Sequence, residues 1–109
     1  ADPVHRQALV QRHIETVLLR LLAQRTISAA MHGRMPGPEA SIVKIAWSTF
    51  EQRIPETAGD VMGVEALSGH WADRLCGSRS LTIAGGTTEV NKNIVGERVL
   101  GLPREPKAG

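Results

Sequence analysis

The residues best suited to chemistry cluster late in the chain, in Ile83-Ala84-Gly85-Gly86-Thr87-Thr88-Glu89-Val90. Two adjacent glycines let the backbone approach another group closely, because no Cβ stands in the way. Either threonine can cap a following helix, and Glu89 suits its first turn, where unpaired N–H groups favour negative charge. A helix start of this kind also favours the polar groups of a bound cofactor. Other reactive residue types are scattered. His5, His13, His32 and His70 show no metal-ligand spacing, so no metal site is expected. Cys76 stands alone, which rules out an intrachain disulfide and fits a reducing compartment. Asp60 reads as a solvated helix residue.

The elements that position this stretch are helical. Asp2 followed by Pro3 is a helix start, since aspartate caps free N–H groups and proline suits the first turn. Val10, Ile14, Val17, Leu18, Leu21, Leu22 and Ala29 recur at three- and four-residue steps, which predicts an amphipathic helix from Asp2 to about His32. Arg6, Arg12, Glu15, Arg20 and Arg25 lie largely off that stripe. Gly33 to Pro38 is a turn dense in breakers. A second helix spans about Glu39 to Met62, with Val43, Trp47, Phe50, Ile54 and Val61 as a seam for antiparallel packing. Trp47 and Phe50 are therefore expected in the core. Pro55 removes one backbone hydrogen bond and is expected to kink the helix near Glu51 to Ile54. From Val64 to Leu81 the pattern weakens: Ala66 to Cys76 has room for a short helical turn, but Gly69 and Gly77 interrupt it, and the stretch reads as a connection. A last helix carries Val90, Ile94, Val95, Val99 and Leu100, stopped by Gly101-Leu102-Pro103, with a loose tail from Arg104 to Gly109. The expectation is an all-α antiparallel bundle of three main helices, with a fourth missing from this piece or supplied by another chain.

Composition supports one small domain. The 109 residues are 41% hydrophobic and 22% charged but only 3% aromatic, so aliphatic side chains carry the packing, which favours helices over a β-sandwich. A net charge of +2, with basic residues interspersed among acidic ones, argues against nucleic acid as a partner. No apolar stretch approaches the ~20 residues of a membrane span, and no signal peptide is visible. The chain opens on Ala1 rather than Met, which points to an excised piece or a processed product.

Taken together, Ile83 to Ile94 and Gly96-Glu97-Arg98-Val99-Leu100-Gly101-Leu102-Pro103-Arg104 resemble the end of acyl-CoA dehydrogenases. The likeness extends through Ala40-Ser41-Ile42-Val43-Lys44 and, more loosely, along the first helix. Asp2-Pro3-Val4 and Leu102-Pro103-Arg104 look like the actinobacterial branch that handles steroid or lipid acyl-CoAs. The resemblance implies that residues 1–109 form the C-terminal helical domain of a larger enzyme, without that domain's first helix. It implies FAD lying between the middle and C-terminal domains and touching a neighbouring subunit. It further implies an acyl-CoA substrate, an electron-transfer acceptor, homo- or hetero-oligomeric assembly and a cytoplasmic setting.

The implied reaction is α,β-dehydrogenation of an acyl-CoA thioester: a carboxylate takes the α-proton and the β-hydrogen leaves as hydride to the flavin. Many members carry the catalytic glutamate where this chain has Gly85. Glycine cannot take a proton, so no catalytic residue is assigned here. The base comes from a more N-terminal helix, as in the isovaleryl- and long-chain-type members, or from a partner subunit. The Gly85 N–H still matches a backbone donor to the thioester carbonyl. Thr87 and Glu89 match family positions that contact FAD. Asp60 falls where many members carry a glutamine that reaches the adenosine part of FAD in the neighbouring subunit, and Gly63-Val64 replaces the glycine pair that often follows. A non-catalytic helical partner of a heteromeric enzyme is the alternative that these departures favour.

Overall fold

In a computed structural model, residues 2–104, 106 and 107 are described, and all regular structure among them is helical. Helix α1 runs Pro3–Met31 and starts as its sequence predicts, with Asp2 Oδ1 accepting the Val4 N–H at 2.8 Å and proline in the first turn. It ends where Gly33 takes a φ of +74°, and the Arg34 N–H reaches back to the Ala29 carbonyl at 3.0 Å.

Only part of the expected stripe of α1 is covered: Val17, Leu22 and Ala29 are half-buried. Val10, Ile14, Leu18 and Leu21 are 44–53% exposed, whereas His5, Ala8, Arg12, Glu15, Leu19, Leu22 and Ala29 are half-buried. Periodicity shows that a face is apolar, not which neighbour covers it. Helix α1 is apolar on two sides, and α2 lies against the side carrying Arg12 and Glu15. Glu15 accepts from Arg53 of α2 at 2.8 Å and pairs with Arg12 at 3.2 Å.

Helix α2 spans Ala40–Met62 and is the hub, touching α1 and every helical segment up to Ile94. Its buried positions are Ser41, Ser48, Pro55 and Thr57. Steps of seven along the first three set small side chains on one line, which lets neighbouring backbones approach. The helix runs through Pro55, whose ring is fully buried on that line. The expected seam is only half covered: Val43, Phe50 and Ile54 are half-buried, but Trp47 is 43% and Val61 40% exposed. Trp47 is thus a surface residue of this chain rather than core.

A fourth helix replaces the expected connection. After a 3-10 segment at Gly63–Leu67, helix α3 spans Gly69–Ser78 and a second 3-10 turn spans Arg79–Thr82. Gly69 begins α3 at φ +64° and Gly77 lies inside it, so the residues that weakened the pattern sit at its ends. Tertiary pins stabilise what propensity leaves weak. Arg74 bonds Glu51, Arg79 bonds Glu56 at 2.6 Å, and Gln52 donates to the Ser78 carbonyl and the Thr82 hydroxyl at 3.3 and 3.2 Å.

Helix α4, Thr88–Ile94, passes into a π-helical turn at Val95–Val99. Gly101 at φ +69° ends it, as the Gly-Leu-Pro sequence predicts. Arg104 pairs with Glu97 at 3.3 Å. Of the tail beyond, Glu105, Ala108 and Gly109 lie outside the described residues.

The assembly of helices is open. Its radius of gyration is 17.0 Å, against about 13 Å for a compact domain of this length. Its accessible surface is 7949 Å², against about 5,900 Å² for a monomer of this mass. Apart from Pro55, Ala66 is the one apolar side chain that is fully buried among the described residues.

Candidate functional site at the glycine turn

The site is built by the run from the 3-10 turn into α4. The Ile83 and Ala84 N–H groups both donate to the Ser80 carbonyl, at 3.0 and 2.9 Å, and close the turn. Gly85 and Gly86 follow with φ of +70° and +97°, a left-handed conformation that L side chains resist. Their surroundings differ. A Cβ on Gly85 would meet nothing within 4 Å, whereas one on Gly86 would lie 3.1 Å from Asn91 Nδ2. Thr87 then caps α4, its Oγ1 accepting the Val90 N–H at 3.2 Å.

Two side chains hold this turn from below. Asn91 is 5% exposed, and its Nδ2 donates to the Gly86 carbonyl at 3.1 Å and the Thr87 carbonyl at 3.0 Å. Lys44 of α2, half-buried, donates from Nζ to the same Gly86 carbonyl at 2.7 Å. The outer side stays unspent. The N–H groups of Gly85, Gly86 and Thr87 donate to nothing among the described residues, and Gly85 is exposed. The turn can therefore offer backbone donors to an oxygen-rich ligand, with no Cβ to block it.

The structure brings Gly85, Thr87 and Glu89 together within five residues of chain and sets Asp60 apart. Glu89, in the first turn of α4, is exposed and carries no ion pair among the described residues. Asp60 is exposed in the last turn of α2. It lies sixteen residues along that helix from Lys44, about 24 Å at 1.5 Å per residue. One chain cannot bring both ends to one small group.

The larger clefts lie elsewhere. One of about 430 Å³ sits between α2 and the π-helical turn, lined by Ile42, Ile45, Val95 and Leu100. Another of about 550 Å³ lies under the α1–α2 turn, with Arg25, Arg34 and Glu39 at its wall. A third of about 280 Å³ lies between α1 and α2, lined by Leu18, Leu19, Phe50 and Arg53. None of the three includes the glycine turn. No group of three or more His, Cys, Asp or Glu able to hold a metal occurs among the described residues.

Sequence reasoning assigned no role to Lys44 or Asn91. Lys44 lies in Ala40-Ser41-Ile42-Val43-Lys44, but its partner is 42 residues away, and no local spacing points to it. Asn91 is four residues after Thr87, on the same helix face, where a polar side chain can reach back to the cap.

Residues 1–100 match the C-terminal domain of acyl-CoA dehydrogenases. The chain belongs to the acyl-CoA dehydrogenase family. It is 35% identical to acyl-CoA dehydrogenase IpdE1 of Mycolicibacterium smegmatis over 97% of its length, which is 27% of that relative. It is 31% identical to IpdE1 of Mycobacterium tuberculosis, again over 97% of this chain and 29% of the relative. Acyl-CoA dehydrogenase FadE34 of the same organism is 33% identical over 77% of the chain and 12% of its own length. The actinobacterial likeness is therefore sound, and the chain spans less than a third of these relatives. No solved structure gives a significant match. As an acyl-CoA dehydrogenase domain it is helical as expected, and no helix among its described residues is long and apolar enough to cross a membrane.

Proposed function

We propose that this chain is the C-terminal domain of a flavin-dependent acyl-CoA dehydrogenase and forms the wall that faces flavin and thioester. The observation that carries the reading is the glycine turn: backbone N–H groups at Gly85, Gly86 and Thr87 that donate to nothing among the described residues, with open space where a Gly85 side chain would stand. That open space and those donors fit an oxygen-rich cofactor and a thioester carbonyl. Bound FAD supplies the hydride acceptor for the β-hydrogen. The protein's own part is to orient the thioester and to stabilise negative charge as it grows on the carbonyl oxygen, through the Gly85 N–H. The Thr87 hydroxyl proton remains free for a cofactor oxygen while its oxygen caps α4. Glu89 stands on the same surface as a polar contact. Asp60 matches the adenosine end of FAD in a neighbouring subunit, where its carboxylate suits a sugar hydroxyl and repels a diphosphate.

The base lies outside this chain. Gly85 has no side chain, and Glu89 is four residues on, outside the required place. An upstream helix or a partner subunit supplies the carboxylate, and the 109-residue chain alone is silent. The open α1 face supports assembly in homo- or hetero-oligomers, and an electron-transfer acceptor reoxidises the flavin. A non-catalytic partner subunit is the second reading, favoured by Gly85 and Asp60 standing where a base and a glutamine are usual. Protein purified at its natural length separates the two. Flavin absorbance together with acyl-CoA-dependent dye reduction supports the enzyme. Dye reduction that appears only when a second subunit is added supports the partner.

A further inference from the structure

We propose that Lys44 is a positioning residue for the reaction, setting the glycine turn so that its outward amides meet the thioester; this deepens the reading above and rests on it. Lys44 Nζ lies 2.7 Å from the Gly86 carbonyl, 42 residues away in the chain. Among the described residues no other part of α2 hydrogen-bonds to the turn, so this contact ties the central helix to the catalytic wall. The Gly86 carbonyl also receives Asn91 Nδ2 at 3.1 Å. Two donors from two elements therefore fix one peptide plane.

The plane has a direction. The Gly86–Thr87 peptide is trans, so its N–H points opposite to its carbonyl. Drawing the carbonyl inward onto Lys44 turns the Thr87 N–H away from it, where it donates to nothing among the described residues. The Gly85 N–H lies two peptide planes before, joined to the held plane through Gly85 and Gly86 at φ +70° and +97°, so fixing that plane narrows the directions the Gly85 N–H can take. The ammonium also polarises the peptide it bonds, and a polarised amide is the stronger donor. Two glycines alone leave the turn free among many conformations. Lys44 removes that freedom, at no cost in exposed donors. Asn91 supports the same carbonyl without charge.

The test compares Lys44→Met, which keeps the stem and removes the donor, with Lys44→Arg, which keeps a charged donor. Both are made in the protein at its natural length, labelled with 15N-glycine. Before any cofactor is added, the Gly85 and Gly86 amide signals of Lys44→Met are expected to shift and broaden while other glycines stay in place. In the loaded enzyme, kcat is expected to fall about 10- to 100-fold, the loss typical of one charge-assisted hydrogen bond, with acyl-CoA KM within about threefold. Lys44→Arg is expected to recover most of kcat. Parent-like glycine signals in Lys44→Met overturn the proposal, as does a kcat equal to the parent's or an arginine variant no better than methionine. If the parent itself oxidises no acyl-CoA, the proposed function falls, and the glycine signals still decide whether Lys44 sets the turn.

Discussion

At the scale of single residues, the two glycines differ in a way that mutation resolves. Gly85→Ala meets no neighbour and suffers only the positive φ, a cost of about 1 kcal/mol in unfolding free energy. Gly86→Ala adds pressure on Asn91 at 3.1 Å and is expected to cost about 2 kcal/mol or more. Urea unfolding of the two variants measures the difference, and equal losses would mean that the turn is not held as described. Thr87→Ala removes the α4 cap and is expected to cost about 1 kcal/mol. These residues were legible in the sequence because glycine pairs and capping threonines act locally. Lys44 was not, since its role depends on a partner 42 residues away.

At the scale of elements, the α1–α2 contact combines an ion-pair cluster with half-buried Leu19 and Leu22, where the sequence suggested a purely apolar seam. Glu15, 14% exposed, is shared by Arg12 and Arg53, yet Arg12 Nε and Glu15 Oε2 have no hydrogen-bond partner among the described residues. Such a pair is costly to break and cheap to replace. Glu15→Ala is expected to destabilise by about 1–3 kcal/mol, because it leaves Arg12 half-buried without a counter-charge. The double change Arg12→Met with Glu15→Leu is expected to be neutral or stabilising. A double-mutant cycle by thermal or denaturant unfolding checks both, and additive losses would remove the coupling claimed here. Helices α1 and α2 were readable from caps and spacing, to within a residue or two at their ends. Helix α3 was legible only as a short turn within Ala66 to Cys76, because Gly69 and Gly77 mask it locally, while the ion pairs of Arg74 and Arg79 with α2 that support it are tertiary.

At the scale of the molecule, the open shape is the main fact. Val10, Ile14, Leu18 and Leu21 form an uncovered face on α1, and an apolar patch of that kind rarely stays in water. The 109-residue chain is expected to self-associate, and Leu18→Glu with Leu21→Glu to shift it toward monomer in light scattering. A parent chain that stays monomeric at high concentration would contradict this. Periodicity identified that face correctly as apolar but placed it inward, because the choice between two apolar sides of one helix is made by neighbours.

The central claim is that this domain is one wall of a flavin and thioester site whose base lies outside it. Anaerobic addition of acyl-CoA to the natural-length protein, followed at the flavin absorbance bands, tests it most directly, beside the 109-residue chain given FAD under the same conditions. Bound flavin in the natural-length protein, alone or with its partner subunit, is expected to bleach, with no change in the short chain. Bleaching by the short chain alone would contradict it, as would natural-length protein that neither holds flavin nor gains the ability with a partner.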